Sequence, residues 1–263
     1  MTRRSKYSIV SILLLSILFL FTPLTRMTVN ARSFPAIIVL TSYSKTMSVG
    51  DEFLLAAVAS NGKMPTFKSS KSSIASVNTY GLITAKKAGT CKITAKIKNA
   101  EASCKITVKP TTISINPSSL SLYRLETKQL TASVSTGHIP KWRSSKSSVA
   151  TVDENGKVTA VKHGTAKITA TVDGVSKSCT ITVKQPKIKL SSSSLALKAG
   201  ETHRLTATVS SGNVPEWSTS NMNVVSVDQN GILTARQKGR AYIYAREDGI
   251  KTSCIVTVSE AQP

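Results

Sequence analysis

The chain is poor in the residues from which active sites and covalent scaffolds are usually built. Its 263 residues include four cysteines, three histidines and 13 acidic side chains. Four cysteines in a chain of this length do not make a disulfide scaffold, so the fold has to rest on packing, with at most one or two bridges added. The histidines, His138, His163 and His203, fall at unrelated positions with no nucleophile and carboxylate beside them, which is the pattern of surface residues. There is no Gly-rich phosphate loop, no His-Glu-x-x-His and no zinc-type spacing. No catalytic residue, cofactor or metal ligand is therefore assigned, and an enzyme is not expected. Beyond the first 31 residues no stretch has a helical period. The end, Ser259-Glu260-Ala261-Gln262-Pro263, carries no sorting motif, so covalent wall attachment is not expected.

What is present begins with an export signal. Arg3, Arg4 and Lys6 precede an apolar run from Ile9 to Phe21, and Val29-Asn30-Ala31 offers small residues for a peptidase. Residues 1–31 thus read as a signal peptide, or as an uncleaved anchor, since the run approaches the length needed to span a bilayer. Subtracting the four basic residues of that segment leaves 31 basic against 13 acidic, a net charge of +18. Such a field attracts polyanions and is weakened by salt. Outside the membrane these are anionic wall polymers, lipid headgroups and acidic glycans; nucleic acid is not the expected partner. Membrane contact is expected only through the N-terminal segment, if retained. A lysine-rich surface that merely keeps the protein soluble is the competing reading.

Three segments recur at a spacing of 75 residues. Phe67-Lys68-Ser69-Ser70, Trp142-Arg143-Ser144-Ser145 and Trp217-Ser218-Thr219-Ser220 are in register, as are Gly81, Gly156 and Gly231, and Cys104, Cys179 and Cys254. Within each repeat apolar residues alternate with threonine or serine, as in Ile168, Ala170 and Val172, the mark of a half-buried antiparallel strand. Asp173-Gly174 and Asp248-Gly249 read as two-residue hairpin turns, with Lys98-Asn99 in their place in the first repeat. The pattern predicts an all-β chain of three tandem immunoglobulin-like β-sandwiches, over 37–109, 112–184 and 187–259, with about seven strands each. Phe67, Trp142 and Trp217 are expected at the centres of the cores. The linkers Pro110-Thr111 and Gln185-Pro186 are short and proline-stiffened, which predicts an extended monomeric rod.

Each repeat resembles the bacterial immunoglobulin-like domain, group 2. The second carries Trp142-Arg143-Ser144-Ser145, Val152-Asp153, Gly156-Lys157-Val158-Thr159-Ala160 and Gly164-Thr165-Ala166-Lys167-Ile168-Thr169-Ala170. The third carries Gly200-Glu201, Trp217, Val227-Asp228 and Val256-Thr257-Val258. The family's Gly-Glu reads Leu125-Glu126 in the second repeat, so that turn is expected to differ. The resemblance implies an extracellular surface role, in adhesion, wall association or spacing, and names no ligand.

Four features remain as candidates. Asp153-Glu154-Asn155-Gly156 and Asp228-Gln229-Asn230-Gly231 faintly resemble the start of a calcium loop, but too few oxygens follow, and an Asx or hairpin turn is preferred. Cys91, unique to the first repeat, falls diagonally across a hairpin from Cys104, near enough for a disulfide or for two packed thiols. Lys86, Lys87, Lys92, Lys96, Lys98 and Lys105 gather around the same hairpin as a candidate anion-contact patch, with a solvated strand face as the alternative. Finally, Leu54, Ala56 and Val58 occupy outward places that are polar in the second repeat, and mark either a partner surface or one covered by residues 33–40. The reading that follows is a secreted or surface binding protein that associates with an anionic wall polymer or glycan, with a surface protein as a further possible partner. The alternative is a passive spacer.

Overall fold

The fold follows from one hairpin repeated three times. A computed structural model describes residues 35–260; the signal or anchor segment expected over 1–31 lies outside the described residues. In the first module the strands are β1 (Ile38–Leu40), β2 (Ser44–Met47), β3 (Glu52–Leu54), β4 (Ala57–Ala59), β5 (Thr66–Ser69), β6 (Ala75–Val77), β7 (Leu82–Ala85), β8 (Gly89–Ile97) and β9 (Ala100–Val108). Nine strands replace the seven expected, because the edges are broken into short pieces. β8 and β9 form a nine-residue antiparallel ladder, Gly89 opposite Val108 through Ile97 opposite Ala100. β5 joins β8, and β2 adds parallel to β9, giving a four-stranded sheet β2-β9-β8-β5. The facing layer is the sheet β3-β7-β6 together with the pair β1-β4.

The same plan is repeated by β10–β18 over 113–183 and by β19–β27 over 188–259. Their long hairpins are β17 (Gly164–Val172) with β18 (Val175–Val183), and β26 (Gly239–Glu247) with β27 (Ile250–Ser259). Three sandwiches of the immunoglobulin type result, as the alternation predicted. Each holds its own core. Leu55, Ile83, Ile93 and Ile106 are fully buried in the first, Leu130, Ile168 and Ile181 in the second, and Leu205, Leu233 and Ile243 in the third.

The aromatic rings are not where the sequence suggested. Phe67, Trp142 and Trp217 pack against the cores but are only half-buried. Each stands on the short fourth strand of its sheet, which has a neighbour on one side only. One ring edge therefore lies under the turn glycine, where a Cβ on Gly156 would stand 2.9 Å from Trp142 and from the Leu130 carbonyl oxygen. The other edge opens onto a groove.

The Leu125-Glu126 turn keeps its shape. Gly50, Leu125 and Gly200 occupy equivalent places with φ of 89°, 72° and 90°. Each donates its N–H to a strand carbonyl, Ala85, Ala160 and Ala235, at 2.8–2.9 Å. The backbone hydrogen bond imposes the left-handed conformation, and leucine bears a strain of about 1–2 kcal/mol for it. Leu125 is largely exposed, so no packing offsets that strain. Leu125→Gly should stabilise the second module by about 1 kcal/mol, and Gly156→Ala should destabilise it by about 1–3 kcal/mol. Thermal denaturation of the two variants beside the parent chain checks both signs.

Candidate functional site

The outer faces of the four-stranded sheets carry the charge. Along β8 and β9, Ile93, Ala95, Cys104 and Ile106 point inward, so Lys92, Thr94, Lys96, Ser103 and Lys105 point to solvent. Lys92 stands directly opposite Lys105 in the ladder. Lys68 on β5 faces the same way, opposite Thr94, and the exposed acid of this face, Glu101, lies 3.8 Å from Lys96. Thr94 and Ser103 hydroxyls bond across the centre at 2.9 Å. In the second module the equivalent face presents Lys141, Arg143 and Lys167. In the third it presents Arg240, Arg246 and Lys251, with Tyr242 and Tyr244 stacked between them at 6.3 Å.

The six lysines expected as one patch separate into three places. Lys92, Lys96 and Lys105 share the face, and Lys68, which the sequence reading missed, joins them. Lys98 is at the tip of the hairpin. Lys86 and Lys87 are at its opposite end, where both N–H groups donate to the Ile74 carbonyl. A nine-residue strand, roughly 27 Å long, lies between. Alternation identifies a face but says nothing of distance along it.

The cysteines sit as the alternation placed them. Cys91 is opposite Ile106 and Cys104 opposite Ile93, and both are buried free thiols rather than a disulfide. Burial pushes the Cys104 thiol up, a hydrogen bond from Ser42 works against this, and the nearby Cys91 adds a smaller push upward. Burial likewise raises Cys179 and Cys254. The suspected calcium loops are Asx turns. Asp153 Oδ1 accepts the N–H groups of Asn155 and Lys157 at 2.9 and 2.8 Å, and Asp228 does the same for Asn230 and Ile232.

Two of the three histidines belong to the module junctions; His203 lies half-buried on β21 (Thr202–Arg204), opposite Leu233. At the first junction His138 Nδ1 is 2.9 Å from Asp173, whose carboxylate also accepts hydrogen bonds from Thr136 and from the linker hydroxyl of Thr111. Gly50 of the first module packs on that imidazole, since a Cβ there would stand 2.8 Å from it. Burial would push the Asp173 carboxyl up, but the bonds from His138, Thr136 and Thr111 outweigh it and hold the group below its ordinary value.

At the second junction Glu247 and Asp248, on the hairpin tip of the third module, reach into the second. Glu247, 1% exposed, accepts from Arg124 Nε and Asn213 Nδ2, both at 3.0 Å. Asp248 accepts the His163 backbone N–H at 2.7 Å, with His163 Nδ1 3.1 Å away.

A groove beside each aromatic ring recurs through the chain, about 320 Å³ at Phe67, 280 Å³ at Trp142 and 470 Å³ at Trp217. Among the described residues no group of three or more His, Cys, Asp or Glu could hold a metal ion, and no helix is long and apolar enough to cross a membrane.

The model of the bacterial Ig-like domain (group 2) matches residues 24–108, 109–183 and 186–256. The chain belongs to this family. An uncharacterized protein of Clostridium acetobutylicum is 41% identical over 130 residues, which is 45% of this chain but 13% of that protein. This chain therefore spans a small fraction of its relative's length. Among solved structures, the titin I9–I11 tandem covers 85% of this group 2 chain and 100% of its own, with 13% identity and a TM-score of 0.49. Surface layer protein SbsC, domains 1–6, covers 88% of this chain and 41% of its own, with 16% identity and a TM-score of 0.27.

Removing Arg124 leaves a buried carboxylate unpaired. Arg124→Ala should loosen the second junction by about 3–5 kcal/mol, seen as wider bending between the second and third modules in small-angle scattering. For Asp173 the depressed carboxyl contributes stability above the unfolded-state value, near 4, which is lost as pH falls through the lower folded value. The first junction should therefore loosen only in acid, and Asp173→Asn should remove that acid transition.

Proposed function

We propose that this chain is an exported, non-enzymatic binding protein that holds an anionic wall polymer or acidic glycan against the outer faces of its four-stranded sheets. One observation carries the reading: Lys92 and Lys105 stand opposite each other on an exposed ladder, with Lys68 beside them and no acid on the rungs between. Like charges directly opposite in a sheet destabilise it. A module kept soluble by charge alone gains nothing from placing them there, whereas a polyanion lying across the ladder relieves the repulsion. Related faces on the second and third modules give one chain several weak sites, which together bind far more tightly than any one of them. Membership of the group 2 family supports a place outside the cell.

The passive-spacer reading has its own support in the clasp at Glu247 and Asp248, which fixes two modules end to end whether or not anything binds. Retention on purified cell walls separates the two. A binding protein is held at low salt and released as ionic strength approaches the physiological range, where screening shortens to about 8 Å. Replacing Lys92→Glu together with Lys105→Glu should abolish most of that retention without lowering the melting temperature. Equal retention of this variant and the parent would remove the sheet face from the mechanism, and no retention at low salt would favour the spacer.

A further inference from the structure

The two poles of a module are different, and the N-terminal pole of the first module differs from its counterparts. The N-terminal pole holds the chain entry, the β4–β5 loop and the β8–β9 tip: Ile37 bonds to Ser60, and Thr66 stands opposite Lys96. In the second and third modules this pole sits on the preceding module. Its tip residues there are Asp173 and Asp248, and its loop residues His138 and Asn213. Val214 of the same loop borders the second junction, in a cleft shared with Arg124 and Val161. In the first module the equivalent positions are Lys98, Lys63 and Met64. A docking end is retained, but Lys98 replaces the tip acid, Lys63 takes the loop place of His138 and Asn213, and Ile97 that of Glu247.

Beside those cations large apolar side chains face solvent. Met64 is 83% exposed, and Tyr80, across the groove from it, is 77% exposed. Met64 also shares a cleft with Lys63, Lys96 and Lys98. Val58, exposed on the same groove, corresponds to Ser133 and Thr208; Tyr80 corresponds to Asn155 and Asn230. Met64 recurs as the equally exposed Ile139 and Val214, so Val58 and Tyr80 are the apolar residues particular to the first module.

We infer that this pole is a lipid-contacting tip, which seats Met64 and Tyr80 among the headgroups of an anionic bilayer while Lys63 and Lys98 meet the phosphates. Apolar side chains ringed by lysine are the composition of an interfacial membrane contact, and tyrosine favours the headgroup level. The residues between Phe21, the end of the apolar run, and Pro35 can span at most roughly 45 Å, so the pole is the part of the described chain nearest that run. A second copy does not fit in its place. Stacked end to end, Lys98 would meet the residue equivalent to His163, which on the third module is Lys238. That lysine already pairs with Glu260 at 3.1 Å, and a like charge would face it.

The test uses the full chain with Met64→Cys carrying a nitroxide, against Ile139→Cys labelled at the same loop position of the second module. The native cysteines are buried and leave the label specific. In vesicles of phosphatidylcholine containing phosphatidylglycerol, the label at 64 should be reached by oxygen in preference to a water-soluble nickel chelate, and the label at 139 should not. Lys63→Gln with Lys98→Gln should lower the ratio of lipid-contacting to free label about thirtyfold, roughly fivefold for each lysine. Equal aqueous exposure of the two labels overturns the inference. So does equal lipid contact in pure phosphatidylcholine, because the tether alone would then account for it, and so does shielding by a soluble polyanion but not by vesicles. The pair Lys92→Glu and Lys105→Glu, which tests the sheet face, should leave the label at 64 in the lipid, so the two proposals fail separately.

Discussion

The long hairpin is the constraint on which everything else depends. Nine paired residues alternate strictly, so one set of side chains builds the core and the other is forced outward. The turn fixes the register, and a slip by one residue would exchange core and surface along the whole ladder. In the first module this places Ile93 and Cys104 inside and Lys92 and Lys105 opposite each other outside. The length of the hairpin also carries its tip beyond the sandwich to the pole. Core, charged face and junction are three consequences of a single pairing.

Much of this was legible in the sequence because a period of two needs no distant information. The repeats, the sandwich and the inward cysteines follow from neighbours in the chain. The junctions do not, since Arg124 and Glu247 are 123 residues apart and only the stacking of modules brings them together. The histidines looked scattered for the same reason: His138 and His163 sit at opposite poles of one module and serve different junctions. Alternation also misled where it was silent. It grouped Lys86 and Lys87 with Lys98, although a whole strand separates them. It put the aromatic residues at the core centre, although the strand that carries them is an edge.

Leu125 shows the converse, a sequence departure that changes nothing in the backbone. The hydrogen bond from its N–H to Ala160 is shared by all three modules, and this tertiary demand overrides residue preference. Whether the place tolerates a side chain depends on its neighbour in the next module. Gly50 lies under the ring of His138, while the residue in the ring's place at the second junction is the shorter Asn213. Junction chemistry thus reaches back into a turn that looks local.

A repeated module has no intrinsic way to tell its neighbours apart, because its core and its face are made alike each time. The distinction has to be written where modules touch, at the tip and the adjoining loop. Acids at Glu247 and Asp248 meet Arg124 and His163, and a weaker set around Asp173 meets Gly50 through an imidazole. The tip of the first module reads Ile97-Lys98-Asn99, which would repel the cationic end that its relatives accept. The order of the array and the character of its first pole are therefore set by a few residues that contribute little to any core. Substitution there can redirect what a module docks against while leaving its fold intact.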